Sequence, residues 1–218
     1  MTGDNHFNMQ GSTFDNSMFG TVSVNSGEAA GAGRQPVVAP FERRVFVVQG
    51  RDLAVNRAMS GFLRELDLEP LDWEKIVDLT GKAAPHVLEV VREGFALAAA
   101  VVVLLTPDDF AVLHESLWQS GDLPHERVLT GQPRANVLFE AGMAMALHPE
   151  RTVLVQVGPV RAFSDTAGLD FVQIDGSTVK LKNIAQRLAR AGCRVDTRGD
   201  GWLDESRFAG LAALGRAS

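Results

Sequence analysis

The sequence predicts an α/β protein built on a doubly wound parallel β-sheet of about five strands. Short apolar runs of strand length alternate, over residues 43–192, with segments in which apolar residues recur at helical spacing. The run AVVVLL, residues 100–105, is apolar at every position, as in a central parallel strand that is covered on both faces. In a chain of 218 residues, this alternation predicts one globular domain with appendages.

The predicted strands are short apolar segments separated by helical or polar stretches. They cover residues 45–48, 68–73, 100–105, 152–157 and 170–175.

The predicted helices follow these strands. The apolar stripe of the first comprises Val55, Ala58, Met59, Phe62, Leu63 and Leu66. Asp52 is suited to cap the N-terminus of that helix. A second helix is predicted to begin near Pro85, because proline suits the first helical position. A third covers residues 136–147 and is stopped by His148 and Pro149, and a fourth is ended by Gly192.

The connections are predicted from their polar composition. Residues 74–82 form a predicted polar loop, and residues 106–131 form a long polar connection whose segment near 110–118 has helical character. Residues 159–168 are predicted to be irregular. Residues 196–218, which contain several spaced large apolar side chains, predict one short packed helix after the main domain.

The chain divides into a tail (residues 1–40), a main domain (residues 41–195) and a C-terminal segment (residues 196–218). The tail has few large apolar side chains to offset the entropy of ordering, which predicts disorder. Its weak alternation of apolar and small polar residues leaves open short strands that pair between subunits.

Composition argues against several classes of protein. The net charge of -6 and the pI near 5.4 lack the basic footprint of a nucleic-acid-binding protein. The most apolar stretch, residues 95–105, is about half the ~20 residues that span a bilayer, and no signal peptide is visible. Cys193 is the single cysteine and the histidines show no metal-ligand spacing, so we expect a cytoplasmic protein without a metal site.

One carboxylate stands out in the segment RANVLFEAGMAMALHPERTVLV, residues 134–155. Between residues 136 and 147, only Asn136 and Glu140 are neither apolar nor small, so protein is expected to cover most faces of this helix. A buried carboxylate without partners costs several kcal/mol. A helix cap explains Glu140 poorly, since an N-cap at Asn136 would place the capping-box position at Phe139. An ion pair with Arg134, Arg51 or Arg151 and a ligand site both remain open.

The predicted topology brings candidate site residues to one edge of the sheet. Ligands of doubly wound sheets bind at the carboxyl ends of the strands, beside the switch in strand order. In this chain those ends carry Gly50, Arg51 and Asp52, then Trp73 and Glu74, and then the sequence ThrProAspAsp of residues 106–109. The connection from the last of these leads to the helix that holds Glu140.

Four blocks of the sequence together resemble a known family. They are VFVVQGRD, VVVLLTPDDF, RANVLFEAGMAMA and AFSDTAGLDFVQID. In this order they resemble the bacterial TIR-like domains described as predicted nucleotide-binding proteins, which occur in anti-phage effectors, some fused to STING or to cyclic-nucleotide sensors. The resemblance covers residues 43–192 and implies a TIR fold, which is flavodoxin-like.

In active members, the resemblance implies hydrolysis of NAD+ between nicotinamide and ribose, with NAD+ as substrate and no cofactor. The family's catalytic glutamate is the last residue of the motif NVxFE, which spans residues 136–140 in this chain. That glutamate is Glu140 here, and the motif also includes Asn136 and Phe139. Cleavage passes through an oxocarbenium-like state that a carboxylate stabilises. Nicotinamide leaves from a ring that is already cationic, so one carboxylate suffices without a general acid.

For the other matched positions, a functional role and a structural role both remain open. Gly50 would allow close backbone approach, Arg51 would meet a phosphate or the catalytic carboxylate, and Asp52 would cap the first helix or contact the substrate.

The block TPDD offers Thr106 and two acids. Asp108 and Asp109 would contact ribose or adenine donors, or would form a turn or a helix cap. Trp73 lies where TIR domains have a mobile loop that a neighbouring subunit uses, and packing against the sheet is its structural interpretation. The chain departs from the family at Gln49, where His is frequent, and at Ala141, where Leu is frequent.

Two hypotheses of function follow. The first is an NAD+ glycohydrolase that becomes active when a homo-oligomer assembles, with a sensor protein or a cyclic-nucleotide signal acting in trans. The second is a non-catalytic nucleotide-binding adaptor. An oxidoreductase is disfavoured, because no GxGxxG follows a predicted strand. Neither nucleic acid nor a membrane is an expected partner.

Overall fold

A five-stranded, all-parallel sheet forms the centre of the molecule, in a computed structural model that describes residues 39–161 and 170–216. The strands in chain order are β1 (Arg44–Val48), β2 (Glu69–Leu71), β3 (Ala100–Leu105), β4 (Asp109–Ala111), β5 (Thr130–Gln132), β6 (Thr152–Val157) and β7 (Val172–Ile174). The order in the sheet is β2-β1-β3-β6-β7, while β4 and β5 form a separate antiparallel pair. The predicted doubly wound, flavodoxin-like α/β fold is confirmed.

The helices cover both faces of this sheet. They are α1 (Leu53–Glu65), α2 (Trp73–Thr80), α3 (Val87–Leu97), α4 (Pro124–Arg127), α5 (Ala135–Leu147), α6 (Thr178–Arg190) and α7 (Ala212–Gly215). Within the described ranges, none of them has the length and apolar character needed to cross a membrane. The predicted tail lies outside the described residues except for its last two positions, and so does most of the predicted irregular stretch 159–168.

Alternation along the strands divides the buried residues between two core layers. In β1, Val45 and Val47 point toward the layer beneath α1 and α6, while Phe46 and Val48 point toward the layer beneath α2, α3 and α5. β3 is buried at every position, as predicted, because it lies in the middle of the sheet. Burial of each large apolar side chain contributes about 1.5–3 kcal/mol.

The layer beneath α1 and α6 also holds residues that come late in the chain. The rings of Phe62 and Phe208 meet edge to face, with centroids 6.3 Å apart. Cys193 is buried in the same layer, and this burial raises the pKa of its thiol to about 12. The thiol is therefore protonated at neutral pH and is not a nucleophile.

Several local predictions were wrong. Residues 74–82 were predicted as a polar loop, but α2 begins at Trp73 because Asp72 caps it, accepting a hydrogen bond from the Lys75 N–H at 3.0 Å. This helix buries only Ile76, so its apolar stripe is too narrow to stand out in the sequence.

The start of α3 and the long connection also differ from prediction. The N-cap of α3 is His86, and Pro85 precedes it instead of taking the first helical position. The segment predicted as helical near residues 110–118 contains β4 and a single 3-10 turn at Glu115–Leu117. The C-terminal segment has two 3-10 turns before α7, where one helix was expected.

The sheet order places the site. β2 and β3 lie on opposite sides of β1. The chain that leaves the carboxyl end of β1 therefore continues to β2 on one side, and β3 is added on the other side. The pairing of β1 with β3 runs from Val45 opposite Ala100 to Val48 opposite Val103. The loops after these two strands therefore meet at the switch in strand order, where ligands of such sheets bind.

Candidate functional site

Glu140 lies in α5, and the part of the chain that the structure describes offers it no partner. The N-cap of α5 is Arg134, not Asn136 as predicted, so Glu140 is well past the first turn and caps nothing. The side chain is partly buried and makes no hydrogen bond or ion pair with any described residue. Burial raises the pKa of the Glu140 carboxyl above its ordinary value.

The predicted structural partners of Glu140 are engaged elsewhere. The Arg134 guanidinium lies 3.8 Å from the Asp109 carboxylate. The Arg151 guanidinium donates to the Ala98 carbonyl oxygen at 3.1 Å and meets the ring of His148. Arg51 is exposed and contributes its backbone N–H, not its guanidinium, to the contacts seen in the described ranges. The ion-pair explanation of Glu140 is therefore wrong for the residues that the structure describes.

The outer face of α5 is open, contrary to the prediction that protein covers most of it. Val137, Ala141 and Ala144 face the core, whereas Phe139 is 64% exposed. Asn136 is also exposed, and a Cβ added at Gly142 would have no neighbour within 4 Å. Glu140 thus lies between a buried face and an exposed apolar one.

Asp108 occupies the switch point between β1 and β3. Its side chain is only 4% exposed, and its Oδ2 accepts a hydrogen bond from the Arg51 N–H at 2.6 Å. Its Oδ1 is buried and accepts no hydrogen bond from the described residues. Asp108 therefore fixes the loop that leaves β1 and keeps one oxygen without a donor.

Gly50 is required by this arrangement. A Cβ at position 50 would lie 2.0 Å from Asp108 Oδ2, well inside contact distance, and 3.5 Å from Thr106 Oγ1. Among the described residues, the Asp108 side chain approaches Gly50 closely.

Asp52 caps α1 as predicted. Its Oδ1 accepts from the N–H groups of Ala54 at 3.0 Å and Val55 at 3.1 Å. Its Oδ2 lies 2.9 Å from the guanidinium of Arg216, which also approaches Asp108 Oδ1 at 3.7 Å. The side chain of Asp52 is 6% exposed, so Arg216 neutralises two nearly buried acids. Arg216 was not predicted, since it lies far from both acids in sequence.

The remaining predicted residues fall in different places. Thr106 is buried directly after β3, and Asp109 is exposed at the start of β4. Trp73 is 42% exposed at the start of α2.

The structure brings together one group of the predicted residues. These residues are Gly50, Arg51, Asp52, Thr106 and Asp108. Together with Arg216, which was not predicted, they are called here the switch-point cluster. Within the described ranges, no hydrogen bond or ion pair joins Glu140 to the switch-point cluster.

A cavity of about 370 Å³ lies on the other side of β1, against α1 and the end of β2. Gln49 lines it, and the buried Oε1 of this residue has no hydrogen-bond partner among the described residues. Glu140 does not line this cavity. Residues 39–161 and 170–216 contain no group of three or more His, Cys, Asp or Glu side chains arranged to hold a metal ion.

Comparison with known proteins identifies the domain. Residues 44–176 match the family model for the TIR domain of the CAP12/Pycsar effector protein. The chain is also similar to the uncharacterized protein YuaY of Escherichia coli (strain K12), with 25% identity over 161 residues. That alignment covers 73% of this chain and 49% of the relative, so the chain spans about half the length of the curated relative it matches.

The matched range contains both the switch-point acids and Glu140, and it ends before α6 and α7. It covers more than half of the 218 residues. The chain belongs to the CAP12/Pycsar effector TIR-domain family.

Proposed function

We propose that this chain is an NAD+ glycohydrolase that acts as an assembly-activated effector in bacterial anti-phage defence, with Glu140 as its catalytic residue. The observation that supports it is the state of Glu140. A partly buried carboxylate without a described partner destabilises the fold, and its raised pKa shows that the environment disfavours its charge. Such groups concentrate at functional sites.

The proposed reaction consumes NAD+ and water and gives ADP-ribose, nicotinamide and a proton. The bond between C1′ of the ribose and the ring nitrogen breaks, and its electron pair neutralises the pyridinium. The ionised Glu140 carboxylate stabilises the positive charge that develops on the sugar, and this attraction is strong because the carboxylate is poorly solvated. Water then adds at C1′ and releases its proton.

Other residues supply recognition in this proposal. The exposed Arg51 guanidinium is suited to the pyrophosphate, and Asp109 and Asn136 lie exposed near the start of α5, where sugar or base donors would reach them. In this proposal, Thr106 and Asp108 contribute buried polar groups at the carboxyl end of β3. The exposed rings of Trp73 and Phe139 suit stacking on a base or contact with another subunit.

A non-catalytic nucleotide-binding adaptor is the second candidate. The exposed apolar face of α5 favours it, together with the exposed apolar side chains of residues 110–129, because large exposed patches mark interaction surfaces. An adaptor would bind the nucleotide and a partner through these surfaces without turnover.

The deciding experiment measures release of nicotinamide from NAD+ over a range of protein concentrations, with crowding agents. The proposal predicts turnover that rises steeply with concentration and is lost in Glu140→Gln. Glu150→Gln, an exposed glutamate just after α5, is the matched control and retains turnover. Full activity in Glu140→Gln would rule out its catalytic role, and nucleotide binding without turnover in every assembled state would favour the adaptor.

A further inference from the structure

The segment of residues 211–216, called here the C-terminal cover, crosses the carboxyl edge of the sheet. Its helix α7 packs against the loop after β6, where Gly158 has a φ of +85°. A Cβ at this glycine would lie 1.9 Å from the carbonyl oxygen of Ala213, so the two backbones touch. Ala213 is fully buried, and Leu211 and Leu214 pack against the core. The C-terminal cover is thus docked tightly at its α7 end.

Its other end reaches the switch-point cluster through one side chain. The Arg216 guanidinium lies 2.9 Å from Asp52 Oδ2 and 3.7 Å from Asp108 Oδ1. About a third of the arginine side chain is exposed, whereas both carboxylates are almost fully buried. Arg216 therefore lies over the two acids, on the solvent side.

The contact with Asp108 is incomplete. Its Oδ1 is inaccessible to solvent and receives no hydrogen bond from the described residues, although the guanidinium is near. A buried carboxylate oxygen without a donor carries a desolvation cost. A ligand that brought hydroxyl donors to this oxygen would remove that cost, and Arg216 would regain full hydration on leaving.

The C-terminal cover also lies outside the part of the chain that matches the family model, which ends at residue 176. The acids that it covers lie inside that part. The contact therefore joins the matched part of the chain to a segment that follows it.

We propose that the C-terminal cover is an autoinhibitory latch, in which Arg216 keeps the crevice between β1 and β3 closed until a nucleotide displaces it. The vicinal hydroxyls of a ribose are the chemical group that replaces the guanidinium on Asp52 and Asp108. The proposal rests on the proposed function, since it specifies how access of a nucleotide to that site is regulated. α7 stays docked during opening, and only the Arg216 end moves.

The first test measures closure without any nucleotide. A water-soluble carbodiimide with an amine labels accessible carboxylates, and peptide mass spectrometry reports the extent at each acid. In the full chain Asp52 and Asp108 label slowly, and Arg216→Ala increases their labelling at least about tenfold. Arg198→Ala removes an arginine of the same C-terminal segment that is 91% exposed and pairs with Asp196, and it leaves labelling at both acids unchanged. Unchanged labelling in Arg216→Ala would overturn the latch.

The second test measures binding of ADP-ribose by calorimetry, which needs no turnover. Arg216→Ala binds about tenfold more tightly than the wild type, and Arg198→Ala binds as the wild type does. Arg216→Met, which keeps the bulk and removes the charge, reproduces the gain if Arg216→Ala is poorly folded. Equal or weaker binding in both variants would overturn the latch. Tighter ADP-ribose binding in Arg216→Ala without release of nicotinamide from NAD+ would support the latch and contradict the NAD+ glycohydrolase.

Discussion

Asp52 and Asp108 differ from Glu140 in the partners that the described residues provide for their carboxylates. Asp52 and Asp108 are almost fully buried, yet each has partners: backbone N–H groups on one oxygen and the guanidinium of Arg216 near the other. Glu140 is also partly buried, but no described residue pairs with it, and burial raises the pKa of its carboxyl. The acids therefore differ in their partners among the described residues.

The contrast shows what partners do for a carboxylate. Hydrogen bonds and opposite charge stabilise an ionised carboxylate. The contacts of the two aspartates therefore stabilise the loops that follow β1 and β3. No described residue provides such partners for Glu140, so desolvation disfavours its charge, and the substrate cation of the proposed reaction would compensate this cost. This difference between the acids can be measured through the free energy of unfolding of single-residue variants.

The largest expected effect comes from Asp108→Ala. It removes a hydrogen bond from the Arg51 N–H to a buried carboxylate, and hydrogen bonds to charged groups contribute about 1.5–3 kcal/mol. Urea unfolding is expected to show a loss of about 2–3 kcal/mol. Asp109→Ala is the matched control, because its exposed ion pair at 3.8 Å contributes at most about 1 kcal/mol. Equal losses in the two variants would mean that Asp108 is not a structural acid.

Gly50→Ala is expected to destabilise the protein by about 2 kcal/mol, because the new Cβ would meet Asp108 Oδ2. The check is a double-mutant cycle read by urea unfolding. In the background of Asp108→Ala the obstruction is gone, so the added methyl group has little effect. A loss of the same size in both backgrounds would show that something other than Asp108 requires the glycine.

Asp52→Ala is expected to lose about 1–2 kcal/mol, from the N-cap of α1 and the ion pair with Arg216. Asp52→Ser separates these two contributions, since serine keeps a capping oxygen and removes the charge. Thermal unfolding should place Asp52→Ser between the wild type and Asp52→Ala. If Asp52→Ser matched Asp52→Ala, the cap would contribute nothing.

The sequence predicted the centre of the sheet best. β3 and β6 have the predicted bounds, because strands buried on both faces need continuous apolar runs that leave little choice of boundary. The edge strands β2 and β7 are shorter than predicted, since pairing on one side limits them. The pair β4 and β5 was missed, because three-residue strands carry too little pattern.

The site was predicted in part. The positions of Gly50, Asp52 and Asp108 at the switch point follow from topology alone, whereas their roles depend on contacts between distant residues. No local pattern links Arg216 to Asp52, so their ion pair was not foreseen. The exposed face of α5 was also missed, because an apolar helix has the same composition whether its own chain or a partner covers it.

The central claim, that the Glu140 carboxylate has no stabilising partner among residues 39–161 and 170–216, is tested most directly by the pH dependence of stability in Glu140→Gln. The raised pKa means that the folded state binds the proton of Glu140 more tightly than the unfolded state does. Wild-type stability is therefore lost relative to Glu140→Gln as pH rises from the unfolded pKa of about 4.3 through the folded pKa. Glu150→Gln, at an exposed position, is the matched control.

The measurement is urea unfolding of the wild type and Glu140→Gln between pH 4 and pH 8, chosen to bracket the pKa of about 4.3. The account predicts that the advantage of Glu140→Gln grows with pH and then becomes constant. If Glu140→Gln were instead less stable than the wild type at neutral pH, the carboxylate would have a stabilising partner, and its assignment as the reactive acid would be contradicted.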